Sequence, residues 1–200
     1  MTALWLHNPS WGQTQFIAVI AALSAAFFFR WVERVVPIEQ EAVIGSCFIL
    51  AASAVLLVLA DHPNGGEEVQ HILSGQMLFI SWSDVLAFLP LYIVALVIWF
   101  GIPSVRSGVG FFVLFALVVT ASVQLVGVYV VFASLILPAL AVNAMPRRRV
   151  PAAMSSSILA VIIGIFISTL GDYPAGPVIV FVFAFIAILC RIILRAKFEV

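Results

Sequence analysis

SVQLVGVYVVFASLILPALAV, residues Ser122–Val142, is apolar, carries no charge and is interrupted twice. Gly127 follows the polar Gln124. Pro138 stands where a helix interior loses a backbone hydrogen bond and meets a ring clash with the preceding turn. Hydrocarbon offers no water to a freed N–H or C=O, so interrupted backbone is tolerated only against protein or a polar cavity. The stretch therefore reads as an interior element of a membrane bundle.

The rest of the chain agrees with that reading. Of 200 residues, 64% are hydrophobic and only 9% charged. Apolar runs of about 15 to 20 residues recur along the length, close to the ~20 that a helix needs to cross a bilayer core. They are apolar all round, whereas the strands of a membrane barrel alternate with period two. The expected fold is all-α: a polytopic transmembrane helical bundle forming a single domain over residues 1–200. Met1 to Gly12 lacks a basic leader region and no small-residue cleavage site breaks the first apolar run, so that run is expected to stay in the membrane.

Crossing segments are expected at 13–29, 42–60, 85–101, 109–123, 126–142, 152–170 and 177–195, seven in all, with a broken helix pair at 109–142. One helix over that pair would run roughly 50 Å at ~1.5 Å per residue, past a core of ~30 Å. Two short crossings turning near Gln124 to Gly127 instead put all nine Lys and Arg on one side: Arg30, Arg34, Arg106, Arg147, Arg148, Arg149, Arg191, Arg195 and Lys197. By the positive-inside tendency that side is cytoplasmic, with the N-terminus outside and the C-terminus in the cytoplasm. Asp61, Glu67, Glu68 and Asp172 fall on the opposite side. At least one helix of the pair is then shorter than the membrane, as an interior half-helix would be.

The longest polar connection is Asp61–Gly75, DHPNGGEEVQHILSG, with turn signals at Pro63, Asn64, Gly65 and Gly66. Ile80 to Asp84 reads as a helix start, with Ser81 or Ser83 as the cap. The turn at Asp172–Pro177 has two prolines and a glycine to stop one helix and start the next. Cys47 and Cys190 lie in separate apolar runs and offer neither a metal-ligand spacing nor a disulfide framework, so they read as small buried hydrophobes. A formal net charge of zero gives no reason for a nucleic-acid partner. No phosphate loop, nucleophile elbow or zinc-protease helix is present, so the chain reads as non-enzymatic and any nucleotide hydrolysis belongs to a partner. Clusters of small residues, Ala21 to Ala26 and Ala51 to Ala54, fit either ordinary packing in lipid or a dimer face.

Four stretches resemble the integral membrane permeases of bacterial ABC transporters for zinc, manganese and iron. Glu39-Gln-Glu-Ala-Val-Ile-Gly45 is similar to that family's acidic approach to a helix with an Ile-Gly pair. His71-Ile-Leu-Ser-Gly75 with Ile80-Ser-Trp-Ser-Asp84 resembles its Leu-Phe-Gly segment and following serine start. Gly127 through Leu135 to Pro138-Ala139 is similar to its Gly-Val-Leu-Leu, Leu-x-x-Pro-Ala core, and Pro174-Ala-Gly-Pro177 to its Pro-Ser-Gly-Pro turn. The resemblance implies a permease of the bacterial inner membrane that homodimerises or pairs with a related chain. It further implies drive from a cytoplasmic ABC ATPase and delivery of a divalent metal by an extracytoplasmic metal-binding protein. On that resemblance the divalent metal is expected as transported substrate, and no cofactor is expected to be bound by this chain.

Two departures accompany it. The family's Asp-x-x-Ser-His pattern is absent, so the chain looks shortened at the front. The family's acidic coupling segment is replaced by Gly101–Gly108, GIPSVRSG, too short for a helix that contacts the ATPase. A transport-inactive, permease-derived protein with a structural or regulatory role is the alternative reading. An integral membrane enzyme is disfavoured by the lack of any acid, base or nucleophile arrangement within the segments.

Candidate sites follow from residue chemistry. His62, Glu67, Glu68 and His71 are imidazoles and carboxylates suited to zinc, manganese or iron, and Glu67 and His71 are four apart, on one face of a helical turn. A weak metal site and a plain hydrophilic loop both stand as readings. No Asp, Glu, Lys or His lies at the centre of any segment, which leaves Ser122, Gln124, Gly127, Ser134 and Pro138 as the candidate translocation path. Interhelical hydrogen bonding accounts for the same polar side chains. Arg106, Arg147, Arg148 and Arg149 are the candidate ATPase contacts, and the run of three serves equally to enforce topology or to meet anionic lipid.

Overall fold

The computed structural model describes residues 11–60, 80–106, 108–143, 145 and 149–198. They form seven α-helices: α1 Trp11–Val35, α2 Gln40–Ala60, α3 Trp82–Gly101, α4 Val109–Val126, α5 Val128–Val142, α6 Arg149–Gly171 and α7 Ala175–Phe198. Short 3-10 turns stand at Pro37–Glu39 and Pro103–Arg106, and no strand occurs among the described residues. Every helix but α5 is long and apolar enough to cross a membrane. The 15 residues of α5 reach only about 22 Å, short of a ~30 Å core. The polytopic helical bundle expected from the sequence is therefore found.

The backbone divides into two compact units, one ending at Ile44 and the other beginning at Gly45. In the first, α1 turns Phe16, Ile20, Leu23, Phe27 and Trp31 outward. It runs to Val35, past the apolar run that ends at residue 29, and in this extension Arg30 pairs with Glu33 one turn on at 3.3 Å. Pro37 stops it: Val36, the residue before proline, takes φ −143° and ψ 64°.

The second unit holds the core, built on α5 and α7. Val130, Ala133, Leu137 and Ala141 recur at spacings of three and four and bury one stripe of α5. It packs with Ile179, Val180, Phe183 and Ala187 of α7, Ala160 of α6 and Ile49 of α2. On α6, Ser156, Ala160, Gly164 and Ser168 recur every four residues and all are buried. Such a small-residue stripe lets two backbones approach closely where lipid supplies no hydrophobic drive.

Two cavities give the relative directions of three helices. One, of about 150 Å³, is lined by Ser46 and Leu50 of α2, Leu137, Leu140 and Ala141 of α5, and Ala184 to Arg191 of α7. The other, of about 260 Å³, joins Leu57 and Val58 of α2 to Tyr173 and Val178. Early α2 thus meets late α7 and late α2 meets early α7, so these two are antiparallel. The late parts of α5 and α7 lie together, so those two are parallel.

Local sequence fixes the joints. Ser81 opens α3 with a capping box: its hydroxyl oxygen accepts from Ser83 N at 3.4 Å, and its own N–H donates to Asp84 Oδ2 at 2.9 Å. At the far end of α6, Asp172 takes φ 52° and Tyr173 N donates to Ser168 O at 3.2 Å, a Schellman closure with aspartate in the left-handed position. The buried Ser168 hydroxyl donates back to Tyr173 O at 2.7 Å, and α7 begins two residues later.

Candidate functional site

The break in the 109–142 pair is one residue wide. Helix α4 runs through Gln124 to Val126, further than the segment ending at 123, because the backbone stays helical until a residue free of a side chain permits the turn. Gly127 has φ 87° and ψ 155°, a region essentially reserved for glycine. Its N–H donates to Val123 O at 3.0 Å and closes α4, while its carbonyl accepts from Val131 N at 3.3 Å and opens α5. The glycine itself is buried.

The interior reading of residues 122–142 holds for α5 and not for the end of α4. Of α4 only Ala121 is buried, against seven residues of α5. Pro138 is among the seven. Lacking an N–H, it gives nothing to the carbonyl one turn back, which belongs to Ser134. The Ser134 hydroxyl donates to Val131 O at 2.7 Å within its own helix.

The remaining polar candidates divide. Ser122 donates to Val118 O at 2.8 Å. Its single proton is thereby committed, so Tyr92 of α3 is the donor in their 3.0 Å contact. Gln124 is exposed. The structure does not gather Ser122, Gln124, Gly127, Ser134 and Pro138 around one of the cavities described here.

The described arginines of the candidate set bond backbone carbonyls. Arg106 Nε donates to Trp99 O at 3.0 Å and Nη2 to Phe100 O at 3.3 Å, capping the C-terminus of α3 where a cation also suits the helix dipole. Arg149 Nε donates to Met145 O beyond α5. Arg147 and Arg148, like His62, Glu67, Glu68 and His71, lie outside the described residues. Among the described residues no three His, Cys, Asp or Glu come together as a metal group.

Sequence reasoning missed an apolar groove of about 360 Å³ between α3 and α4, lined by Tyr92, Ala95, Leu96, Trp99, Phe111, Leu114, Phe115 and Val118. Phe111 stacks on Phe115 at 5.8 Å and leans on Trp99 at 6.2 Å. The i, i+4 spacing of the two phenylalanines was the available signal.

Six long apolar helices and a short one that starts at a buried glycine define a multi-pass membrane protein. Residues 2–102 and 99–194 match the ABC 3 transport family, and the chain belongs to that family. It is 28% identical over 188 residues to the manganese transport system membrane protein MntC of Halalkalibacterium halodurans, across 82% of this chain and 64% of that protein. The chain thus spans less than two-thirds of that relative's length. The 188 aligned positions take up only 82% of this chain, so within the matched region the relative has residues without a counterpart here. No solved structure matches the chain.

Proposed function

We propose that this chain is the membrane-spanning permease subunit of an ABC importer for a divalent metal ion, zinc, manganese or iron, working by alternating access driven by a partner ATPase. The observation that carries the reading is the helix broken at Gly127, with α5 sunk in the core, in a chain of the ABC 3 transport family. Half-helices inside a membrane bundle bring backbone groups to a protected depth, and transporters use such groups to hold ions. Pro138 leaves the Ser134 carbonyl without its helical donor, and carbonyl oxygen is a ligand for hard divalent cations. Ser122, Gln124, Gly127, Ser134 and Pro138 are the residues we assign to the path. The relative's name puts manganese first among the three metals.

The rest of the assembly follows from the same reading. Residues 1–200 act as one permease-like domain, paired with a second copy or a related chain. An extracytoplasmic binding protein delivers the metal, and the stretch with His62, Glu67, Glu68 and His71 meets it first. The ATPase docks on the cytoplasmic side at Arg147, Arg148 and Arg149. The chain sits in the bacterial inner membrane with its N-terminus outside and its C-terminus in the cytoplasm. Arg149 at the start of α6 and Arg191 late in the antiparallel α7 lie at one end of that pair, which supports this orientation.

Uptake of radiolabelled manganese in cells lacking this chain, with the ATPase and the binding protein retained, tests the reading. Uptake should fall, and should return with the intact chain but not with Gly127→Leu. Unchanged uptake of manganese, zinc and iron would sink it.

A second reading has its own observation. The described residues between α3 and α4 hold a 3-10 turn, Pro103–Arg106, and the relative has residues without a counterpart in this chain. That pattern fits a permease-derived protein with a structural or regulatory role. Purification without an ATPase would favour it.

A further inference from the structure

We infer that the outer face of α3 and α4 binds an anionic phospholipid of the bilayer, one acyl chain lying in the groove and the phosphate meeting Arg106. The groove, at about 360 Å³, is within the roughly 300–1,000 Å³ of small-molecule sites. Ala95, Leu96, Leu114, Phe115 and Val118 present carbon to it, and the Tyr92 hydroxyl on its wall is committed to Ser122. An occupant must therefore be hydrocarbon along this length. The neighbouring Ile93, Val94, Val97, Phe112 and Val113 are exposed on helices that are long and apolar enough to cross a membrane, so the groove opens towards acyl chains.

Beyond one end of the groove stands a cation, Arg106. Trp99 lines the groove, and the Trp99 carbonyl holds Arg106 Nε at 3.0 Å, which anchors the guanidinium over that end. Its bonds to Trp99 and Phe100 use two of five N–H donors. Both of these bonds go to backbone carbonyls, so neither compensates the charge of Arg106. A planar fork of free donors matches phosphate oxygens. The Trp99 indole marks the same level, since such rings favour the membrane–water interface. Hydrocarbon and phosphate joined in one molecule satisfy both ends of the site. A headgroup carrying its own cation leaves the charge of Arg106 uncompensated, so the site favours a net negative lipid.

Native mass spectrometry of the full chain in mild detergent tests this, with phosphatidylglycerol and phosphatidylcholine of identical acyl chains as probes. Phosphatidylglycerol should be retained about fivefold more, the scale of one basic residue at an anionic surface. Arg106→Gln should bring the ratio to about one, and Arg106→Lys should keep the preference, which separates charge from helix capping. Ala95→Phe, filling the groove, should release both lipids. A preference that survives Arg106→Gln, or lipid that stays bound to Ala95→Phe, would overturn the proposal. So would a dimer that Ala95→Phe converts to monomer, because the groove would then belong to a second copy of the chain.

Discussion

A Cβ placed on Gly164 of α6 would stand 2.6 Å from Ile179 Cγ1 and 2.9 Å from Ile179 Cα of α7. The second distance is to backbone, so no rotamer change relieves it. Gly164→Ala should therefore force the two helices apart and lower stability by about 1–3 kcal/mol, the cost of overpacking a tight core. The apparent melting temperature in detergent reads this. Ala160→Gly, on the same stripe, adds no bulk and serves as the comparison.

Gly127 makes a second prediction, through backbone rather than contact. Any side chain at φ 87° and ψ 155° is strained, and Gly127→Ala should cost about 1–3 kcal/mol. If α5 moves about this residue during transport, uptake should fall further than stability alone explains. Parallel melting and metal-uptake measurements separate the two effects.

The turn between α6 and α7 depends on one buried hydroxyl. Ser168→Ala removes the donor to the Tyr173 carbonyl and should destabilise the protein by about 1–3 kcal/mol. Hydrogen exchange should report the loss first at residues 168–176.

Tyr92 and Ser122 tie α3 to α4 by a single hydrogen bond. A double-mutant cycle with Tyr92→Phe and Ser122→Ala should return a coupling of about 0.6 kcal/mol, typical of interhelical hydrogen bonds in membranes. A coupling near zero would mean that packing alone holds the pair.

Legibility in the sequence followed the kind of signal. Breaks were readable because Gly127 and Pro138 act on the backbone, whatever surrounds them, and the Ser81 cap was readable because its partners lie within three residues. Burial was not. The segments of α4 and α7 both look apolar, yet Ile179 and Val180 are wholly enclosed while Phe112 and Val113 face outward. What separates them is the narrow stripe on α6, whose meaning depends on which helix lies opposite. The same holds for the polar candidates: Ser122 reads alike as path or as interhelical bond until Tyr92 is found beside it. Arg106 reads as a topology signal, and its hold on Trp99 and Phe100 depends on the chain turning back through Pro103–Arg106.

The helix that closes the core emerges from the ribosome after every helix it buries. Ile179, Val180 and Phe183 of α7 seal α2, α5 and α6, so those three enter the bilayer with their inner faces against lipid or the insertion machinery. Chains generally assemble from the N-terminal side as they are made. Here that order leaves the short α5, with its missing backbone bond at Pro138, uncovered until the turn at Asp172 has formed and α7 has entered. The cover of α5 thus depends on the last helix to be made.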